Sequence, residues 1–313
     1  MQLPAEIAGQ GRTPRKAGGF GDAPSKFTAM KFLNILATFF VAFVFSTLAS
    51  AQVDLVTAKE CMARSKENSS VVFIDANKPK NYEVSHFKGA ININHMDLYQ
   101  PGDIEGLIKS PEELAAFFGA KGISENSEIV IYDDGSQKYS TRIYWILKYI
   151  GATNVRILHK DLDQCRAARV TLTADPAKLA PVKFTPTVHP EVFATLEEVK
   201  SRIGQPGVAL VDCRTPEEFN GVKDSEGHLP GAININHLDF LTENGAFKPL
   251  EELKALAEKM GITPDKEVIL YCKTSVRAAV GFVAFKNILG YQNVRVYDGA
   301  YVEWKAMGNP VVE

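Results

Sequence analysis

The sequence is poor in the residues that build metal and redox centres. It has only four cysteines in 313 residues: Cys61, Cys165, Cys213 and Cys272. None stands in a Cys-x-x-Cys pair and none joins a histidine cluster at zinc spacing, so neither a metal nor a cofactor is expected. An excess of either charge is also missing. The 35 basic and 37 acidic residues leave a formal net charge of -2, which argues against a general nucleic-acid binder. Residues 1–29 lack any apolar period and are rich in Gly, Pro, Lys and Arg; this composition predicts disorder.

The next segment is more orderly. Met30-Lys31 opens a strongly apolar run, Phe32 to Leu48, which ends in Ala49-Ser50-Ala51. A basic start, an apolar middle and a small-x-small end over residues 30–51 describe a secretory signal peptide. Translation from Met30 would make the preceding stretch a misassigned start. The alternative is an uncleaved membrane anchor, since the run sits at the short edge of what spans a bilayer. Either way the folded part begins near Gln52 and is expected to be exported, to a periplasm or the medium. Oxidising compartments pair cysteines. Cys61 and Cys165 are candidates for a bridge, although the sequence gives no distance between them.

The chain then repeats itself. Gly89-Ala-Ile-Asn-Ile-Asn-His95 recurs as Gly231-Ala-Ile-Asn-Ile-Asn-His237. The match extends to Val72–Asp75 with Ala209–Asp212, to Ile131-Tyr132-Asp133 with Leu270-Tyr271-Cys272, and to Gly151–Arg156 with Gly290–Arg295. Two domains are expected, residues 53–170 and 191–313. The proline-broken segment 171–190 links them, extended and lying across both. Each copy alternates apolar β-prone runs with helical patterns. This indicates an α/β fold with a mainly parallel sheet flanked by helices. Ser110-Pro111-Glu112-Glu113 carries the signature of a capping box.

Duplication permits a subtraction: shared features are scaffold, and features of one copy are candidates for chemistry. His86/His228, His95/His237, Gly89/Gly231 and Asp75/Asp212 are shared and are read as structural. Cys272, Lys273 and Arg277 belong to the second copy alone, where the first has Asp133-Asp134-Gly135. Arg214 faces Asn77, and Asp298-Gly299 faces His159-Lys160. The run Val268–Tyr271 reads as a buried strand, and Val276, Val280, Val283, Ala284 and Ile288 recur at helical spacing. Cys272 therefore stands where a strand ends and a helix is about to begin. The unpaired N–H groups of such a turn attract an anionic sulfur, and so do Lys273 and Arg277. A buried core cysteine is the bland alternative, but the flanking cations weigh against it.

At these residues the chain resembles the tandem-domain rhodanese family of sulfurtransferases. The motifs are Val211-Asp-Cys-Arg214 with Thr215-Pro-Glu-Glu-Phe219, Gly227-His-Leu-Pro-Gly-Ala232, Phe240-Leu-Thr-Glu-Asn-Gly245, the loop Cys272–Arg277, and Val296-Tyr-Asp-Gly-Ala-Tyr-Val-Glu-Trp304. The resemblance spans about residues 53–313. It implies two tandem domains, the first without a catalytic cysteine. It also implies that Cys272 takes a sulfur from a small anionic donor such as thiosulfate and passes it, as a persulfide, to cyanide or a thiol. Arg214 and Lys273 match substrate-binding positions, with an ion pair from Arg214 to Glu217 or Glu218 as the alternative. Thr274, Ser275, Val276 and Arg277 complete the active-site loop. Tyr301 and Trp304 read as packing residues, and the chain is expected to be a monomer. Members that prefer 3-mercaptopyruvate carry a loop like Cys-Gly-Ser-Gly-Val-Thr. Here Lys273 follows the cysteine, and Ser275 and Arg277 replace Gly and Thr, so a doubly charged donor is favoured. The first copy has His159-Lys-Asp161 where an Asp-Gly-Gly turn is expected.

Two rival readings remain open on the sequence. Phosphatases and arsenate reductases also set Cys and Arg around a helix start, but at Cys-x5-Arg, one residue longer than here. A non-enzymatic sulfur carrier would load Cys272 without turnover.

Overall fold

The computed structural model describes residues 54–67, 70–159, 167–222 and 225–313. The expected signal peptide and the stretch before it lie outside these residues, as do Cys165, Lys160 and Asp161. The first half runs β1 (Leu55–Val56), α1 (Ala58–Glu67), β2 (Val72–Asp75), α2 (Pro79–Val84), β3 (His86–Phe87), β4 (Ile91–Asn92), α3 (Pro111–Ala120), β5 (Ile129–Tyr132), α4 (Lys138–Tyr149), β6 (Val155–Leu158) and β7 (Leu172–Thr173). The second half runs β8 (Phe193–Ala194), α5 (Leu196–Arg202), β9 (Val208–Asp212), α6 (Pro216–Phe219), β10 (Ile233–Asn234), α7 (Leu250–Lys259), β11 (Glu267–Tyr271), α8 (Ala278–Phe282), β12 (Val294–Tyr297) and α9 (Ala300–Ala306).

The strand orders are β1-β6-β5-β2-β4 and β10-β9-β11-β12-β8. Strand by strand they are the same sheet built twice, and the pairings in both are parallel. β3 and β7 form a separate antiparallel ribbon, with His86 opposite Thr173. Parallel strands covered on both faces must be apolar throughout. β5 is buried along its whole length, and so is β11 from Val268 onward. Each such side chain contributes about 2 kcal/mol of burial, and trimming Ile131 to Ala would cost about 3 kcal/mol. The expected capping box at Ser110 is present, and two more occur in the second half. Ser110, Thr195 and Thr215 each accept the N–H of the glutamate three residues on, and each glutamate reaches back to the cap.

The linker departs from one expectation. It is extended, but its backbone lies against the first domain. Val182 N–H donates to Gly119 O, Thr187 N–H to Ile150 O and His189 N–H to Tyr149 O. Phe184 packs beside Phe118.

The shared motifs hold matching corners. Asn92 donates to the carbonyls of Asp75 and Asn77, and Asn234 to those of Asp212 and Arg214. Tyr132 OH accepts the N–H of Phe87, and Tyr271 OH that of Leu229. His86 stacks on Tyr82 and His228 on Phe219.

Candidate active site

Cys272 comes directly after the last residue of β11, the middle strand of its sheet. In open α/β sheets the carboxyl ends of strands are where ligands bind. Cys272 is 1% exposed. Its carbonyl accepts the N–H of Tyr301 at 3.0 Å, and Lys273 O accepts that of Val302 at 3.2 Å, so the first turn of α9 anchors the loop. Ser275 turns the chain with a φ of 59°. A side chain in that left-handed region costs about 1 kcal/mol. The buried Ser275 hydroxyl offsets part of this by donating to Tyr297 O.

The first copy shows what such a loop holds. Asp133 occupies the place of Cys272. Its carboxylate accepts the backbone N–H groups of Gly135 at 2.8 Å, Gln137 at 3.2 Å, Tyr139 at 3.1 Å and Ser140 at 3.2 Å. The loop is an anion cradle, and this one is filled by its own chain. The two loops differ by one residue. The left-handed residue, Gln137, comes four after Asp133, whereas Ser275 comes three after Cys272. Yet Gly151 and Gly290 stand at the same distance, 18 positions on. The difference is absorbed by a π-turn at Val283–Ile288, the kind of insertion that often accompanies a functional site.

The cations are placed differently from one another. Arg277 donates to both oxygens of Glu218, at 2.6 and 2.8 Å. Burial opposes the Arg277 charge, but the Glu218 hydrogen bonds and the neighbouring Cys272 sulfur outweigh it and raise its pKa. Burial likewise opposes ionisation of Glu218. Hydrogen bonds from Arg277 and the Thr215 N–H overcome this and hold the carboxyl at about 2. Lys273 is exposed. It lines a cavity of about 380 Å³ with Ser225, Glu226, Tyr301, Val302 and Lys305.

Arg214 departs from the expected ion pair. It is 1% exposed, and its guanidinium is committed to Asp212, Ser225 Oγ and Gly227 O, with the Tyr301 ring 4.1 Å away. Its ion-pair partner is Asp212 rather than Glu217 or Glu218. Four of its five N–H donors are so engaged, and it backs the Ser225 and Tyr301 side of that cavity. Tyr301 is therefore more than a packing residue of α9, while Trp304 is buried and donates to Pro310 O.

The first domain closes over the loop. Gly106, with a φ of 93°, abuts Thr274 so closely that a Cβ there would lie 2.9 Å from the Thr274 Cβ. Gly245 presses on Gly135 in the reciprocal contact. Arg142, fully buried, binds Asp298 at 2.6 Å and Gly106 O at 2.9 Å, while Ile108 N–H donates to the other Asp298 oxygen. His95 and His237 face this interface. Burial pushes each imidazole down to about 4. Arg142 and Lys138 add to the effect at His95, and Arg277 and Lys138 at His237. Sequence reasoning paired Glu218 with Arg214 rather than Arg277 and missed Arg142 and Gly106, which no local pattern marks.

A family model described as Rhodanese-like domain matches residues 57–168 and 195–307. The chain belongs to the rhodanese family and carries its domain twice. Thiosulfate sulfurtransferase of Pseudomonas aeruginosa is 30% identical over 75% of this chain and 88% of its own. Sulfur carrier protein TtuD of Thermus thermophilus is 30% identical over 74% of this chain and 87% of its own. The crystal structure of SseA from Escherichia coli, described as a 3-mercaptopyruvate sulfotransferase, superposes with a TM-score of 0.72 at 25% identity. That match covers 80% of this chain and 99% of SseA.

Proposed function

We propose that this sulfurtransferase moves the outer sulfur of thiosulfate to cyanide or a thiol acceptor through a persulfide on Cys272. The Cys272 thiolate attacks the outer sulfur. The S–S bond of the donor breaks and sulfite leaves with its electron pair, so the persulfide forms with no net oxidation. Cyanide or a thiolate then takes the terminal sulfur and returns the thiolate. The observation that carries this reading is the exchange of Asp133 for Cys272 at one point of a duplicated anion cradle. One copy supplies its own anion, and the other leaves the place to a nucleophile. Arg277, beside the sulfur, supplies fixed positive charge. Lys273, exposed at the rim of the 380 Å³ cavity, meets the donor's sulfonate. Both groups favour a doubly charged donor over 3-mercaptopyruvate.

Intact mass after thiosulfate treatment tests the first step: one added sulfur, mapped to Cys272, is expected. Steady thiocyanate release from cyanide then separates an enzyme from a carrier, the reading that the TtuD likeness favours. Side-by-side rates with thiosulfate and 3-mercaptopyruvate decide the donor. Phosphatase activity is expected to be absent with p-nitrophenyl phosphate. Export is part of the proposal and rests on residues 30–51. N-terminal sequencing of the protein made in its own cells should begin at Gln52; an intact Met30 start in a membrane fraction would make the segment an anchor.

A further inference from the structure

Cys213 has no part in the chemistry above, yet it lies beside the nucleophile. β9 and β11 are hydrogen-bonded neighbours in parallel register, with Asp212 opposite Tyr271. The next residue on each strand is a cysteine, and Cys213 N–H donates to Tyr271 O at 2.8 Å. Neighbouring strands run about 4.8 Å apart, inside the Cα separation of about 4.4–6.8 Å that a disulfide accepts. Side chains alternate along a strand. Val211, Cys213, Leu270 and Cys272 all pack into one core cluster, whereas Leu210, Ile269 and Tyr271 pack into the opposite one. The two sulfurs therefore project from the same face of the sheet.

Other contacts agree. A Cβ on Gly281, in α8, would lie 3.2 Å from the Cys213 sulfur, so that sulfur sits under the helix that begins just past the Cys272 loop. Arg277 acts electrostatically on both cysteines. Cys213 is fully buried and Cys272 is 1% exposed.

We propose that Cys213 and Cys272 form a reversible disulfide when a hydroperoxide oxidises the nucleophile, protecting it from irreversible loss. This rests on the reading of Cys272 as the reactive thiolate. The Cys272 sulfur attacks the peroxide oxygen, the O–O bond breaks, and an alcohol or water leaves, giving a sulfenic acid. The Cys213 sulfur then attacks the sulfenic sulfur. The S–O bond breaks, and the hydroxyl leaves with the Cys213 proton as water. A dithiol returns two electrons and restores both thiols. In the resting protein Cys213 does not compete for donor sulfur. Burial raises its pKa well above the usual thiol range, and the neighbouring Cys272 sulfur adds to this. A neutral sulfenic acid in place of that anion removes the second of these influences at the moment when Cys213 must react.

The experiment uses the reduced full chain. Thiosulfate loading is read first, and its failure would remove the proposed function without bearing on the disulfide. The protein is then treated with hydrogen peroxide, digested without reductant and mapped. The expected product is two hydrogens lighter, with the peptide containing Cys213 joined to that containing Cys272. Thiosulfate loading should be lost and then regained with dithiothreitol. Cys213→Ala should instead gain two oxygens on Cys272 and recover roughly tenfold less loading. The proposal is overturned if wild type gains oxygen at Cys272 with no such crosslinked peptide, or if Cys213→Ala recovers as fully as wild type. Should Cys213→Ala not fold, the wild-type peptide map decides alone.

Discussion

Arg277→Ala is the perturbation whose cost the structure fixes most closely. Arg277 makes two charge-assisted hydrogen bonds to Glu218, and the two side chains keep only 19% and 13% of their surface in water. Deleting the guanidinium strands a carboxylate whose ionised form depends on it; that carboxyl otherwise titrates at about 2 against a usual 4.5. Breaking a fully buried pair from one side costs about 3–5 kcal/mol. Exposure and solvent screening reduce this here to about 2 kcal/mol. The stranded charge also stands near the sulfur that must become anionic, so the thiosulfate loading rate should fall roughly tenfold to a hundredfold. Adding Glu218→Gln removes the orphaned charge. The double variant should regain more than half of the lost stability and part of the rate, although Glu218→Gln alone destabilises. Urea unfolding at pH 7 gives the stabilities, and single-turnover persulfide formation gives the rates. Strict additivity of the two substitutions would refute the reasoning, because it would mean that the side chains do not act as a pair.

Cys272→Ser should abolish sulfur transfer, whereas Cys61→Ser and Cys165→Ser should leave thiocyanate release nearly intact. Ser275→Gly should change stability by less than about 1 kcal/mol, since relief of the left-handed strain and loss of the bond to Tyr297 O oppose each other. Ser275→Ala keeps the strain without the bond and should unfold in less urea, by about 1–2 kcal/mol. His95 and His237 are held neutral, with pKa values near 4 against a usual 6.5. Protons therefore bind the unfolded chain more tightly than the folded one. The stability these groups give is complete above pH 6.5 and is lost as pH falls through 4, by about 3 kcal/mol in total after screening. Replacing both with Gln should flatten the urea midpoint across that window, and an unchanged slope would contradict the assignment.

The duplicated fold was legible, and Cys272 stood out as the candidate nucleophile, because the chain carries its own comparison. Wherever Ile131-Tyr132-Asp133 meets Leu270-Tyr271-Cys272, what differs is chemistry and what agrees is frame. Charge partners were not legible. Arg214 has Asp212, Glu217 and Glu218 all within four residues, and backbone geometry rather than proximity in sequence gives it to Asp212. Arg142 and Asp298 are separated by 156 positions, and no local pattern joins them. The one-residue difference between the loops was hidden because the π-turn cancels it before Gly290, so the copies align on both sides of the discrepancy. Nothing in the sequence joined Cys213 to Cys272; strand register sets them side by side.

The Arg142–Asp298 bond also bears on how the gene can change. A chain reduced to its second half would keep Cys272, its loop and the cavity rim. It would lose the guanidinium that neutralises a buried carboxylate one strand away, and with it the glycine that roofs Thr274. The first copy thus holds up a buried carboxylate and a loop wall of the second, and deleting it would expose both.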